Sequence, residues 1–198
     1  PLFFIFYFIF KEGISSINWQ FLVNLPKPVG DTGGGIANAI VGTFMLVGLA
    51  CLFSLPVGIF VGIYLSEYSF TRFSYWVRLS TEVLNSVPSI VIGIIAYLWV
   101  VRPIGHFSAF SGGVALGIMM LPVIIRTTEE TLKLLPRSLK EASLSLGAPY
   151  YLTILRVVLP AGLQGIVTGV LVSIARVAGE TAPLLFTAFG NPFMNTNI

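Results

Sequence analysis

Long uncharged stretches alternate along this chain with short polar segments, and that alternation sets the first expectation for its architecture. A helix that crosses a bilayer takes about 20 mostly apolar residues. Residues 36–65 exceed that length without a single charge. Residues 83–101 predict a second crossing with Pro88 near its start, and 107–125 a third with Pro122 near its end. Residues 157–175 predict a fourth, continuing through Gly179. Residues 1–10 are apolar but too short, and read as the tail of a helix that begins earlier. Residues 184–189 are also too short. Pro56 is expected to bend its helix, because proline removes a backbone donor; neighbouring helices tolerate that in lipid. Gly58 with Gly62, and Gly165 with Gly169, set small residues four apart. That spacing lets backbones approach closely, and it equally fits helix packing of any kind.

The polar segment before residue 157 carries its own signals. Thr127 with Glu130 fits a capping box, predicting that a short helix opens there. Pro136 should stop it. Ser138 with Glu141 fits a second box, predicting a helix start at Ser138. Ala142 and Ser143 are small enough to let another surface come close. Gly147 permits a turn, Pro149 suits the first position of a helix, and Leu159-Pro160 marks entry into the last span. The sum is a compact helix–turn–helix lying on the membrane face, which an ordinary amphipathic interfacial element also satisfies.

Charge orients the spans. Residues 126–156 hold five basic side chains, Arg126, Lys133, Arg137, Lys140 and Arg156, which assigns this segment to the cytoplasm. Residues 67–82, with Arg72 and Arg78, then fall inside; 11–35, 102–106 and the final tail fall outside. Trp76 and Trp99 lie near span ends, where indoles anchor at headgroups, and Trp19 does the same if its loop lies on the membrane.

Composition agrees. The chain is 56% hydrophobic and 10% charged, against about a quarter charged in a soluble domain. With a mean hydropathy of +0.92, lipid is the expected solvent and membrane lipid the expected surroundings. The net charge of +3 is spread over several segments, so no nucleic-acid partner is expected. Cys51 is the single cysteine and has no second thiol for a disulfide or a metal. The chain starts at Pro1 without Met and reads as a fragment of a longer gene product. No basic region before the first apolar run points to a signal peptide. Asp31 beside Gly33-Gly34-Gly35 is not followed by Gly-Lys-Ser/Thr, and no lysine precedes Ser or Thr. ATP hydrolysis and bound cofactors are therefore not expected of this chain. His106 reads as solvated. Glu129 and Glu130 are adjacent, so they point to different sides of a helix and make a poor acid/base pair. No cluster of His, Cys or carboxylates at membrane depth suggests an enzyme.

Two charged pairs stand near membrane depth, where ionisable groups are costly and face a cavity or a partner. Arg176 and Glu180 are four apart, on one helix face. Arg126 and Glu129 sit at the cytoplasmic end of the third crossing. A guanidinium suits an oxyanion because its fork donates two hydrogen bonds while staying charged. Arg126 also satisfies the positive-inside rule, and Arg176 with Glu180 also reads as a structural pair.

The block Glu141-Ala142-Ser143, then Gly147, then Val157-Val158-Leu159-Pro160 resembles the cytoplasmic "EAA" loop of ABC-importer permeases. The segments PVGIFVGIYLSEY (56–68), VPSIVIG (87–93), RTTEE (126–130) and above all IARVAGETAPLLFTAFG (174–190) are similar to PstA-type permease subunits of bacterial phosphate ABC transporters. The similarity runs from about residue 36 to 191. It implies an all-α, polytopic membrane helix bundle of the type I ABC-importer permease kind (MetI-like), truncated at both ends. Residues 1–198 would be one partial transmembrane permease domain with a coupling loop at about 126–156. It implies an ATP-driven inorganic phosphate importer in the bacterial plasma (inner) membrane, multi-pass. A homologous permease subunit would complete a heterodimer, with two ATPase subunits and an extracytoplasmic phosphate-binding protein. The same architecture would also serve sulfate, molybdate or an amino acid. The resemblance implies that Arg126, Glu129 and Arg176 serve the substrate path, and Glu180 is added as their neighbour. Coupling to the ATPase would fall to Glu141, Ala142, Ser143, Gly147, Leu159 and Pro160. Ser143 departs mildly from the pattern, which has alanine there.

Overall fold

Caps and prolines decide where the helices stop. The computed structural model describes residues 2–28 and 33–189; the expectations for Asp31 and for the final tail lie outside these. The described helices are α1 (Leu2–Gly13), α2 (Trp19–Val23), α3 (Ala37–Glu67), α4 (Arg72–Ser86), α5 (Ser89–Ile104), α6 (Ala109–Lys133), α7 (Arg137–Ser145), α8 (Tyr150–Ala178) and α9 (Leu184–Thr187). No strand occurs among the described residues. The hydroxyls of Thr71 and Ser108 cap α4 and α6, each accepting an amide three residues on at 3.1 Å. Gly147 adopts φ 81°, the left-handed geometry that glycine takes without strain, and turns the chain after α7.

Backbone contacts divide the described residues into two units, one up to Met45 and one from Leu46 to Phe189. In the first, α1 is apolar from Leu2 to Phe10, ends in Lys11 and Glu12 before Gly13, and buries no residue. The Asn24 amide of the same unit donates to the Gly33 carbonyl at 3.0 Å. The second unit is organised around α6. Within its most apolar 18-residue window α6 is 61% buried, against 17% for α3 and 28% for α8, so α6 is the hub. Its Leu116, Met119, Met120 and Ile124 pack with Ala50, Ile92 and Val177. A second cluster joins Leu132 to Ile154, Val158 and Ile166.

The two glycine pairs of the sequence both fall on these crossings. A Cβ on Gly62 would lie 2.6 Å from Thr128 Cβ, and one on Gly169 would lie 2.2 Å from Thr127 Oγ1. Gly58 faces Ile124 in the same way, and Gly165 faces Thr131. Position 58 meets 124 and 62 meets 128, so α3 runs parallel to α6; 165 meets 131 and 169 meets 127, so α8 runs antiparallel. These relative directions match those expected from the charged loops.

Four sequence expectations are corrected. The predicted span 83–101 is not one rod. Instead α4 and α5 meet at 104°, because a residue before proline is pushed out of the helical region: Val87 has ψ 131° and Pro88 ψ 139°. Three helices are long and apolar enough to cross a membrane, or four if that bent pair is one broken span. Thr127 opens no new helix. It lies inside α6, with its hydroxyl turned back to the Val123 carbonyl at 2.9 Å. Ser138 does not cap α7, which starts at Arg137 after Pro136 without a side-chain cap. Finally, α8 starts at Tyr150 behind Pro149, well before Leu159-Pro160. A π-turn at Ile154–Val158 precedes Pro160, and another at Tyr97–Val101 precedes Pro103. Widening the turn makes room for a ring that would clash with the carbonyl four residues back.

Candidate functional site

Arg126 sits on α6 and Arg176 on α8, and the packing of these helices brings both to one cleft of about 190 Å³. Thr81, Glu82 and Asn85 of α4 line it, with Pro122, Val123, Thr127 and Glu130 of α6. Arg126 Nε donates to Glu130 Oε1 at 2.9 Å, and both side chains are 62% exposed, so water weakens that pair. Arg176 Nη1 donates to Asn85 Oδ1 at 3.3 Å. Neither arginine is locked away. The cleft offers two guanidiniums from separate helices, softened by two carboxylates.

Two of the expected path residues do not line this cleft. Glu129 is 7% exposed and turned the other way. Its Oε1 accepts from Arg78 Nε at 2.7 Å and from Lys133 Nζ at 2.5 Å, and lies 2.7 Å from Arg78 Nη2 as an ion pair. Adjacent Glu129 and Glu130 thus point to different sides, as the helical period requires. Glu180 lies beyond the end of α8. The helix stops at Ala178, and the expected Arg176–Glu180 pair is not among the four ion pairs of the described residues.

The expected coupling residues gather at the α7–α8 elbow. Glu141, Ala142 and Gly147 are exposed, together with Pro160. Leu146 is 88% exposed at the tip, an apolar side chain offered to solvent or to a partner. Ser143 is half-buried, and its hydroxyl meets Thr153 Oγ1 at 2.9 Å, fixing α7 to the base of α8. Serine therefore does more here than stay small. Leu159 packs against the second apolar cluster.

Sequence reasoning missed the carboxylate that holds this elbow. Glu67, at the last turn of α3, accepts Lys140 Nζ of α7 on one oxygen and the Tyr150 hydroxyl of α8 on the other. Arg78 was counted only for topology, and Asn85 and Glu82 not as site residues. A signal existed: Arg78, Thr81, Glu82 and Asn85 recur at i, i+3, i+4 and i+7, a polar stripe on a helix that begins behind Thr71.

The chain is similar to known proteins over most of its length. A family profile described as "Binding-protein-dependent transport system inner membrane component" matches residues 54–198. The chain is 43% identical over 188 residues to the phosphate transport system permease protein PstA of Yersinia pestis, covering 94% of this chain and 64% of that one. It is 43% identical over 192 residues to the protein of the same name from Xylella fastidiosa (strain Temecula1), covering 96% and 67%. It thus spans about two thirds of the length of the curated relatives it matches. Among solved structures, an inward-facing form of the MetNI methionine ABC transporter superposes with a TM-score of 0.65 at 22% identity. That match covers 79% of this chain and 74% of the other, and it carries the fold alone.

Proposed function

Because this chain belongs to the binding-protein-dependent transport system inner membrane components, and is of their PstA type, we propose that it is a permease subunit of an ATP-driven importer of inorganic phosphate. The observation that carries this reading is the meeting of Arg126 and Arg176 in one cleft, with Glu82 and Glu130 beside them. Two guanidiniums on different helices attract an oxyanion by charge and by directed N–H groups. Carboxylates alongside keep that attraction weak. Weakness is functional, because a path that binds its solute tightly does not release it.

The partners follow from what the chain lacks and what it exposes. A pore alone only equilibrates its solute, so pumping requires work delivered from outside the pore. The α7–α8 elbow, with Glu141, Ala142 and Gly147 exposed, is the surface on which one of two ATPase subunits delivers that work, the other acting on the second permease subunit. A homologous permease subunit covers the other side of the path. A phosphate-binding protein on the far side of the bacterial plasma membrane delivers the ion. The apolar surfaces of α3 and α8 that the chain does not bury meet lipid or that second subunit.

The test uses the full-length protein assembled with its partners in lipid vesicles. ATP hydrolysis is measured with the binding protein loaded in turn with phosphate, sulfate and molybdate. Phosphate is expected to stimulate hydrolysis and to accumulate against its gradient. Stimulation by another solute and not by phosphate assigns the path to that solute, and uptake without any ATPase partner removes the reading altogether.

A further inference from the structure

Besides α8, which runs from the elbow to Arg176, α4 joins the elbow to the cleft through one arginine. The elbow is tied to the end of α3 through Glu67, whose side chain is 7% exposed and holds both Lys140 of α7 and Tyr150 of α8. The same end of α3 is tied to α4. Arg78 donates from Nη2 to the Leu65 carbonyl at 3.1 Å and from Nη1 to the Ser69 carbonyl at 3.0 Å. Its Nε reaches Glu129 of α6 at 2.7 Å. Thr81, Glu82 and Asn85, on the same face of α4 as Arg78, form one wall of the cleft, and Asn85 touches Arg176 on the opposite wall.

Buried Ser74 and Thr81 and an edge contact of Phe73 with Tyr64 of α3 also seat α4, but its outer face is uncovered. Phe73, Tyr75, Trp76 and Val83 are more than half exposed, and the helix is bounded by the Thr71 cap and the 104° bend at Val87-Pro88. A helix bounded by two breaks is free of its chain neighbours' axes, so its position is set by what it packs on and by its anchoring bonds. A guanidinium that grips two carbonyls and a carboxylate at once fixes where that helix sits. A lysine in its place would reach one of these partners as a point charge and release the others.

We propose that Arg78 is a positioning residue that couples the elbow to the cleft: displacement of α7 shifts the end of α3, and Arg78 passes that shift to α4 as a change in the cleft wall carrying Glu82 and Asn85. The proposal rests on the importer reading above. It differs from a merely structural role in what it predicts for coupling, since coupling is a free energy shared between two sites.

The experiment compares the wild-type complex with R78M and R78K in lipid vesicles, with all partners present. Three quantities are read: co-purification of the subunits, stimulation of ATP hydrolysis by the phosphate-loaded binding protein, and phosphate taken up per ATP hydrolysed. R78M is expected to assemble and to lose roughly tenfold in uptake per ATP, within the range of measured allosteric couplings. R78K is expected to fall between R78M and the wild type. Should R78M fail to assemble, R78K is read in its place by the same ratio. A wild-type ratio in the variant read overturns the proposal, and so does failure of both variants to assemble, which makes the residue structural. A wild-type complex without phosphate stimulation defeats the importer reading instead, so the two failures are distinct.

Discussion

At the scale of single residues, the cleft depends on charges that are exposed enough to exchange partners. Arg176 is held by one hydrogen bond of 3.3 Å to Asn85, and Arg126 by an exposed pair with Glu130. On the proposed path an incoming oxyanion would displace the Arg126–Glu130 pair at small cost, because exposed ion pairs are worth about 0–1 kcal/mol. Arg176→Gln keeps the shape and a donor but removes the charge. Radiolabelled phosphate uptake is expected to be lost while the subunits still co-purify; uptake at the wild-type rate in that variant excludes the residue from the path. Arg126 and Arg176 stand out in the sequence because charge near membrane depth is costly, and both line one cleft. Glu129 and Glu180 could not be assigned in the same way. Adjacent positions on a helix diverge, which turns Glu129 to Arg78 and Lys133, and the end of α8 at Ala178 releases Glu180 from its predicted register.

At the scale of helices, close approach through glycine is the main device. α6 is gripped from one side by Gly58 and Gly62 of α3, and from another by Gly165 and Gly169 of α8. The α6–α8 approach at Gly165 and Gly169 sets the two helices that carry Arg126 and Arg176 side by side. Gly169→Leu drives a branched side chain into Thr127, and overpacking of this kind costs about 1–3 kcal/mol. The thermal midpoint of the purified complex is expected to fall, with phosphate uptake falling alongside; an unchanged midpoint would mean that the α6–α8 crossing is looser than described. The small-residue spacing was legible in the sequence, as were the long apolar helices. The capping boxes misled. In α6 the Thr127 hydroxyl is satisfied by a carbonyl one turn back, so a Thr-x-x-Glu pattern inside an apolar helix need not mark a start. The amphipathic helix α4 was hidden because hydropathy finds spans, and α4 is polar on the face that matters.

At the scale of the molecule, three carboxylates divide the labour. Glu67 holds the elbow, Glu129 anchors Arg78, and Glu130 moderates Arg126 in the cleft. The overall class, an all-α membrane bundle of the importer-permease kind, was readable from hydropathy and from the Glu141–Gly147 block. The bond pattern between elbow and cleft was not, because it joins residues far apart in the chain, such as Glu67 with Tyr150 and Arg78 with Glu129.

The central claim is that a partner ATPase grips this elbow from the cytoplasm. Ala142 is exposed on α7, next to Glu141, and its replacement by cysteine disturbs no buried contact. The decisive measurement is disulfide trapping of the full-length Ala142→Cys protein to a cysteine on the ATPase subunit, in the assembled complex. The account predicts a crosslinked pair whose phosphate-stimulated ATP hydrolysis stops on oxidation and returns on reduction. A cysteine that reacts with an impermeant reagent from the far side of the membrane, or that yields no adduct with the ATPase, would contradict it.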